Sequence, residues 1–577
     1  MTAALSHADE VDAVLGDPWD ESNPAGHRAV LDADERRELF DAGEKLLDTA
    51  SLNAAFVPRA EGGRLTQADR LAEVLRTVWR RDPRLGYGYG FASFLAAAGV
   101  WSTGDAGQRA WTAKLLRDRR RLAGCEQAPS PAGRSRHAAF TAERTPDGWL
   151  LTGRHEAVAN LRRADALVVP ARISAPGDEG GLSSFLVDRA ALPEGALRYS
   201  SPPAYADADA DADADERGVP VDGLVLTDCP IPRDALLGRP GQGFETSAKT
   251  ARLARVLLPA AGLGALDTAL RTATLLALER RVYGRAVAEL PLVRTVLTGV
   301  FADLLAADAL SAVALRALHT TPDQASVYAP AAGYLASRAV RDGFEQLRPV
   351  LGARSALREG RYAVFQKLAG DVAPGALGTC SSYACLIELL PQLPRPAGSA
   401  IPVQAGPPRA LFDLGGQLPD LDFATLSAEA HDVDGLLGIL TAPPEPGGSG
   451  AGAGAAGALG RLGRLLTGEL DRLRTDCAAL SPDDIGVDPS GPAFTAAGRH
   501  AVLLAAAAAW EVHRHRPALL DEPALAAVLD RLLGRLSAPG VLTEIERKEV
   551  EDHLWLELLH RVRQRRLLDL SARQVPG

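Results

Sequence analysis

Apolar positions recur three and four residues apart along most of the chain, the spacing that lines one face of an α-helix. Leu71, Val74, Leu75 and Val78 form one such stripe. The stretch Asp32-Ala-Asp-Glu-Arg-Arg-Glu-Leu-Phe40 is predicted to start an earlier helix, because acids in a first turn suit the positive end of a helix dipole. A Gly-aromatic stretch follows from Gly86 to Phe91, and the next helix runs from near Asp105 into the mostly basic Arg117–Arg121. After Ala123 the period changes. Phe140–Arg144 and Trp149–Thr152 flank a Pro146-Asp147-Gly148 turn, in which Pro presets the bend and Gly accepts positive φ. Ala166–Ile173, Ser183–Val187 and Leu224–Leu226 are further predicted strands. From Gly243 the helical spacing returns, with Leu253, Val256, Leu257, Ala260, Leu263, Leu266 and Leu270 on one stripe and Pro259 as a possible kink. Val296–Leu318 and Ala329–Leu347 are predicted to follow it in a bundle. Leu459–Leu480, Gly498–His513, Pro523–Leu536 and Glu544–Leu570 are predicted helices of a last domain.

Two Pro-, Gly- and Ala-rich stretches, Pro394–Pro408 and Ala442–Gly457, read as connectors. The expected domains are therefore 1–123 (helical), 124–240 (β-rich), 241–395 (helical bundle) and 409–577 (helical). A chain of 577 residues is too long for one core, which agrees with several domains. Ala206–Glu216, in which Asp and Ala alternate, carries too many like charges to bury and reads as an exposed loop.

Composition narrows the function. The formal charge is −10, so phosphate backbones exert no general attraction and nucleic acid is not an expected partner. No uninterrupted apolar run reaches the roughly 20 residues that span a bilayer, and Met1–Asp17 lacks the order of a secretory signal. Five scattered cysteines, Cys125, Cys229, Cys380, Cys385 and Cys477, form neither a CxxC pair nor a zinc pattern, and a cytoplasmic location is expected. No metal site is predicted. Gly452-Ala-Gly454-Ala-Ala-Gly457 matches GxGxxG but follows a connector rather than a strand, so it reads as linker. His513 and His515 point apart on a helix, and His553 and His560 read as packing or surface groups. Cys380, beside Ser381-Ser382, reads as a buried thiol or, with an activating neighbour, as a nucleophile.

The order helical, β-rich, helical, together with several segments, resembles the acyl-CoA dehydrogenase superfamily. Val57-Pro58 followed by Glu61-Gly62-Gly63, then Gly148-Trp-Leu-Leu-Thr-Gly153 with Asn160 and Ala164-Asp165, are similar to elements of its first two domains. Val225–Gly238 followed by Gly241-Gln-Gly-Phe244 resembles its exit into the bundle. Arg255, Gly264 and Glu279-Arg280-Arg281-Val282-Tyr283-Gly284 keep its order and spacing. The resemblance implies an α+β acyl-CoA dehydrogenase-like fold: N-terminal helical domain, central β-barrel-like domain and helical bundle, here with a C-terminal all-α domain. It also implies FAD, a homodimer and an acyl group carried on coenzyme A or an acyl carrier protein. By resemblance Arg280, Tyr283, Glu126, Asn160, Gln346 and Gly352 would bind cofactor, and Arg255 substrate.

The chain departs from that pattern at its chemistry. In the superfamily a glutamate removes the α-proton while the β-hydride leaves for the flavin. The two usual positions of that base are Leu377 and Ala254 here, and neither side chain accepts a proton. Glu245 and Glu388 are substitute candidates, with ordinary surface or helix-face acids as the plainer reading. Ala157-Val158-Ala159-Asn160 replaces a ring-covering Trp and a hydroxyl donor, and the Gln-x-x-Gly-Gly-x-Gly element is reduced to Gln346 and Leu351-Gly352-Ala353. Two expectations follow. One is a flavoprotein oxidising Cα–Cβ bonds of acyl thioesters without its usual base. The other is a non-redox pseudoenzyme or partner subunit with a vestigial flavin site.

Overall fold

The computed structural model describes residues 6–125, 139–174, 181–201, 219–372, 380–394, 407–426, 435–441, 453–538 and 540–575. The chain divides into two compact units, Met1–Ala254 with Pro419–Ala428, and Arg255–Leu418 with Glu429–Gly577.

In the first unit, helices α1 (His7–Leu15), α2 (His27–Glu35), α3 (Asp41–Thr49), α4 (Ala68–Arg81), α5 (Pro83–Gly86), α6 (Ala92–Thr103) and α7 (Ala106–Arg117) precede a sheet. The predicted stripe of α4 is buried in full: Leu71, Val74, Leu75 and Val78 are at most 4% exposed. The helix expected to start at Asp32–Phe40 is corrected to α2, which ends at Glu35; Arg37 lies in the left-handed region, with φ 56°, and breaks the spiral before α3. Between α5 and α6, Tyr87–Phe91 continues as a wide-turn π-helix. Gly90 permits this, because a Cβ there would lie 2.2 Å from Phe56 Cε2. Asp105 caps α7 by accepting from the Gln108 N–H, and Gln108 reciprocates.

The strands are β1 (Leu122–Gly124), β2 (Phe140–Arg144), β3 (Gly148–Ala159), β4 (Ala166–Ser174), β5 (Leu182–Asp188), β6 (Leu197–Ser200), β7 (Val221–Pro232) and β8 (Leu236–Leu237). They form one sheet in the order β6-β7-β3-β2-β4-β5-β8, with β1 parallel to β4. Alternation sends Phe140, Ala142, Leu151, Leu167, Val169, Phe185, Leu224 and Leu226 into one apolar core. Trp149 packs edge-on against Phe185, ring centroids 5.5 Å apart. The β3–β7 register shifts between His155 and Val158, so the strand is irregular just before Asn160.

Helix α8 (Gly243–Glu279) runs from the first unit into the second. A two-stranded hairpin follows, β9 (Arg281–Val282) and β10 (Arg285–Ala286), and then α9 (Pro291–Thr320), α10 (Ala325–Leu351), α11 (Val364–Asp371) and α12 (Ser382–Leu389). The later part of the chain gives α13 (Gly435–Gly438), α14 (Ala453–Ala479), α15 (Gly491–His515), α16 (Glu522–Arg535) and α17 (Glu544–Arg563). Helices α15, α16 and α17 pack on α9, and α15 also on α10. Helices α8 and α9 are long and apolar enough to cross a membrane, although no unbroken apolar run is; their most apolar windows are 100% and 89% buried inside the protein, so core burial accounts for that composition.

Two expectations in this region are corrected. Residues 453–457, read as linker, begin α14. Helix α17 stops at Arg563 rather than Leu570, because residues beyond it donate backbone hydrogen bonds to bundle carboxylates instead. Of the four histidines considered, His553 hydrogen-bonds Asp521 at 2.8 Å. That bond holds the His553 imidazole above its ordinary pKa. A raised folded-state pKa contributes stability that is present below the unfolded value near 6.5 and lost as pH rises through the folded value. The pair is partly exposed, so the contribution is ~0.5 kcal/mol or less after screening. His553→Gln is expected to flatten that part of the pH dependence of denaturant melts.

Candidate functional site

The first unit supplies the β3 end and the opening turns of α8. Asn160 is fully buried and sits at φ 56°, as a short polar side chain tolerates. Its backbone N–H donates to Pro220 O at 2.7 Å. The side-chain Nδ2 donates to Gly88 O at 2.5 Å, while Oδ1 has no hydrogen-bond partner among the described residues. Ala157 and Ala159 are half-buried methyl groups. Ala254 is 5% exposed. Glu245 pairs with Lys249 at 2.8 Å, one turn along α8. Cys125 is buried, and burial pushes its thiol up to about 12. Glu126 lies outside the described residues.

The second unit carries the other predicted residues. Arg255 is 1% exposed. Its Nη2 meets Glu388 Oε1 at 3.0 Å and its Nη1 lies 3.7 Å from Cys380 Sγ. Burial works against this charge. The Glu388 carboxylate, followed by the Cys380 and Cys385 sulfurs, outweighs it and raises the guanidinium above its usual range. Cys385 is fully buried, which holds its thiol well above the ordinary value. Cys380 and Cys385 stand just before and one turn into α12, whose Ser381 caps the helix by accepting from Ala384 N. They occupy the positions of an apolar staple across the cap. Leu377 lies outside the described residues.

At the far end of α8, the Arg280 side chain is exposed and has no hydrogen-bond or ion-pair partner among the described residues. Its Nη1 would lie 3.4 Å from a Cβ on Gly352, which ends α10 at φ 59°. Beyond it the hairpin Arg281–Ala286 stands out from the bundle. Tyr283, at its turn with φ 51°, is fully exposed. Glu279, just before, holds Arg361 at 2.9 Å and also bonds Tyr362. Gln346 accepts from Arg531 Nη2 of α16 at 3.3 Å. The structure therefore brings Arg280 and Gly352 together and gives Gln346 an internal partner. Nothing in the spacing of the sequence marks Arg531. The Arg255–Glu388 pair also joins residues distant in sequence, although Glu388 had been singled out.

Toward a dinucleotide, the residues of the second unit and those of the first offer different chemistry. The Arg280 guanidinium presents donors suited to phosphate oxygens, whereas the Gly352 N–H already donates to the Arg348 carbonyl. Asn160 Oδ1 is an unfilled acceptor, but its Nδ2 is engaged internally and the neighbouring alanines offer neither stacking ring nor hydroxyl. Both substitute acids are in ion pairs. Among the described residues no cluster of three His, Cys, Asp or Glu could hold a metal.

Comparison with known proteins agrees with this arrangement. Residues 241–373 match the C-terminal domain family of acyl-CoA dehydrogenases. The human mitochondrial short-chain specific acyl-CoA dehydrogenase is 29% identical over 157 residues, covering 27% of this chain and 35% of that protein. The glutaryl-CoA dehydrogenase of Desulfococcus multivorans is 24% identical over 251 residues, 43% of this chain and 62% of its own. The chain thus spans about a third of the length of the short-chain enzyme it matches, 35%. A solved acyl-CoA dehydrogenase from Bacillus anthracis, complexed with FAD, superposes with TM-score 0.65 at 15% identity, over 99% of this chain and 91% of that one. A glutaryl-CoA dehydrogenase complex gives TM-score 0.56 at 20% identity over 68% of this chain and 97% of its own. The fold is thus that of the acyl-CoA dehydrogenases, and residues 241–373 carry a sequence similar to their C-terminal domain.

Proposed function

We propose that the protein is an FAD-dependent oxidoreductase of the acyl-CoA dehydrogenase type, acting on the Cα–Cβ bond of an acyl group carried as a thioester on coenzyme A or a carrier protein. The observation that carries this reading is the exposed Arg280 beside Gly352, at the end of the bundle whose sequence matches the family domain. In this reading Arg280 binds a phosphate oxygen of FAD, with Tyr283 and the Gly352 backbone beside it. A flavin, when bound, supplies the hydride acceptor. The exposed hairpin is suited to a second copy of the chain, and we propose a homodimer on that ground. The compartment that composition suggests is the cytoplasm.

Proton removal is where the chain's own groups fall short. Glu245 is tied to Lys249 and Glu388 to Arg255, and Ala254 offers only a methyl group. General-base help is worth ~10²–10⁴ in rate, so slow turnover is expected. Anaerobic mixing of the FAD-loaded protein with acyl thioesters should bleach the flavin slowly. Leu377→Glu should speed the bleaching. Absence of bleaching in both proteins would favour the second reading, a non-redox member of the fold, which the closed Arg255–Glu388 pair supports.

Arg280→Gln is expected to weaken FAD binding by about 10- to 100-fold, the loss of one charge-assisted contact of ~1.5–3 kcal/mol. Fluorescence titration checks it, and equal affinity in both proteins would remove Arg280 from the site.

A further inference from the structure

Residues 419–426 lie in sequence between the bundle and the last helical domain, yet they belong to the first unit. They form no helix or strand. Burial alternates along the segment: Leu421, Phe423 and Leu426 are 8%, 4% and 2% exposed, while Asp422, Ala424 and Thr425 face solvent.

The surface beneath meets this segment at several points, while Asp422–Thr425 close a turn in which Thr425 N–H donates to Asp422 O at 3.3 Å. Arg59 makes a two-pronged bond to Asp420, at 3.0 and 2.8 Å. Leu421 N–H donates to Thr66 O at 2.7 Å. The Phe423 ring packs edge-on against Phe94 of α6, centroids 6.5 Å apart, and its carbonyl accepts from Ser102 Oγ at 3.3 Å. The Ala424 carbonyl accepts from Lys249 Nζ at 3.1 Å. Main-chain bonds together with pockets for particular side chains are how a surface holds a peptide segment.

Its hold is also that of a bound peptide rather than a core element. The ion pair is open to water, with side chains 67% and 40% exposed. No ladder or helix propagates through the segment. Gly415, at φ 87°, lies four residues before it. Such segments open locally without global unfolding.

We infer that residues 419–426 are a self-ligand: a detachable acidic and apolar strap that occupies a peptide-accepting groove formed by Arg59, Thr66, Phe94, Ser102 and Lys249. Opening releases the buried Lys249 from the Ala424 carbonyl and bares the apolar floor at Phe94, on the same first turns of α8 that lead to Ala254. The groove is matched to a segment with an acid, then an apolar residue, then an aromatic two further on that enters a turn. This inference does not depend on flavin chemistry.

The test uses the full chain with Asp420→Arg and Phe423→Ala, which empties the groove, and a fluorescein-labelled synthetic peptide of residues 417–428. Because an occupied groove lowers apparent affinity by the fraction of time it is open, the peptide should bind the variant at least about tenfold more tightly than the unaltered chain. Adding Arg59→Ala should remove most of that binding. Equal binding to variant and unaltered chain, or none to a variant with an unchanged circular dichroism spectrum, would overturn the inference. If the variant fails to fold, hydrogen exchange at Leu421 of the unaltered chain decides. Exchange by local opening, faster than in α6, supports a detachable strap; exchange only by global unfolding refutes it.

Discussion

Glu388→Gln is expected to destabilise the second unit by ~3 kcal/mol, detectable as a lower urea midpoint. The reason is the cost of the charge left behind. Arg255 is 1% exposed, and its Nε already has no partner among the described residues. Its guanidinium reaches Glu388 at 3.0 Å and, among the described residues, otherwise hydrogen-bonds the Cys380 sulfur. Removing one member of a buried pair typically costs ~3–5 kcal/mol, more than the pair contributes, because the remaining ion is desolvated without compensation. Glu388 is itself 26% exposed, so the lower end of that range applies. Arg255→Met with Glu388→Leu should recover much of the loss. A single Glu388→Gln variant as stable as the unaltered chain would show that water reaches Arg255.

Asp267→Ala should cost a comparable ~2–4 kcal/mol, and Asp308→Ala nearly as much. Both carboxylates are 3% exposed on α8 and α9. Asp267 Oδ2 accepts the Leu568 N–H at 2.5 Å, and Asp308 Oδ2 accepts the Leu570 N–H at 2.8 Å. Arg271 bonds Asp267 at 3.4 Å and also the Arg566 carbonyl. Leu567, Leu568 and Leu570 are at most 3% exposed, so the segment fills apolar space while its amides hydrogen-bond two buried acids. Losing a charged acceptor strands each N–H in an apolar site. Ending the chain at Arg563 removes both sets of contacts and should lower the second unit's melting temperature more than either substitution. An unchanged melt would mean that the tail is an ornament.

The same tail shows why parts of the fold escape a reading of spacing alone. Leu567, Leu568 and Leu570 extend the helical pattern of α17, so periodicity carries the predicted helix past Arg563. What ends it is a set of acceptors on α8 and α9, far away in sequence. Likewise Arg37 ends α2 through a positive φ that composition does not signal, and the glycines at 454 and 457 enter a helix despite their low propensity. By contrast the Leu253–Leu270 stripe and the alternating strands around Trp149 were legible, because one buried face imposes its period directly on the residues.

The site divides in the same way. Arg280 and Gly352 could be picked out from a local motif, and the structure sets them side by side. The loss of acid at Ala254 is also plain in the sequence. The engagement of Asn160 with Gly88, of Gln346 with Arg531, and of Glu388 with Arg255 depends on tertiary contacts, and no local signal announces them. These contacts matter for function because they commit polar groups that a cofactor or substrate would otherwise use.

Equilibrium titration of the full chain with FAD, followed by flavin absorbance and fluorescence, tests the central claim most directly. The account predicts saturable binding with a perturbed flavin spectrum. A protein isolated colourless that leaves the spectrum of added FAD unchanged at every concentration would contradict it.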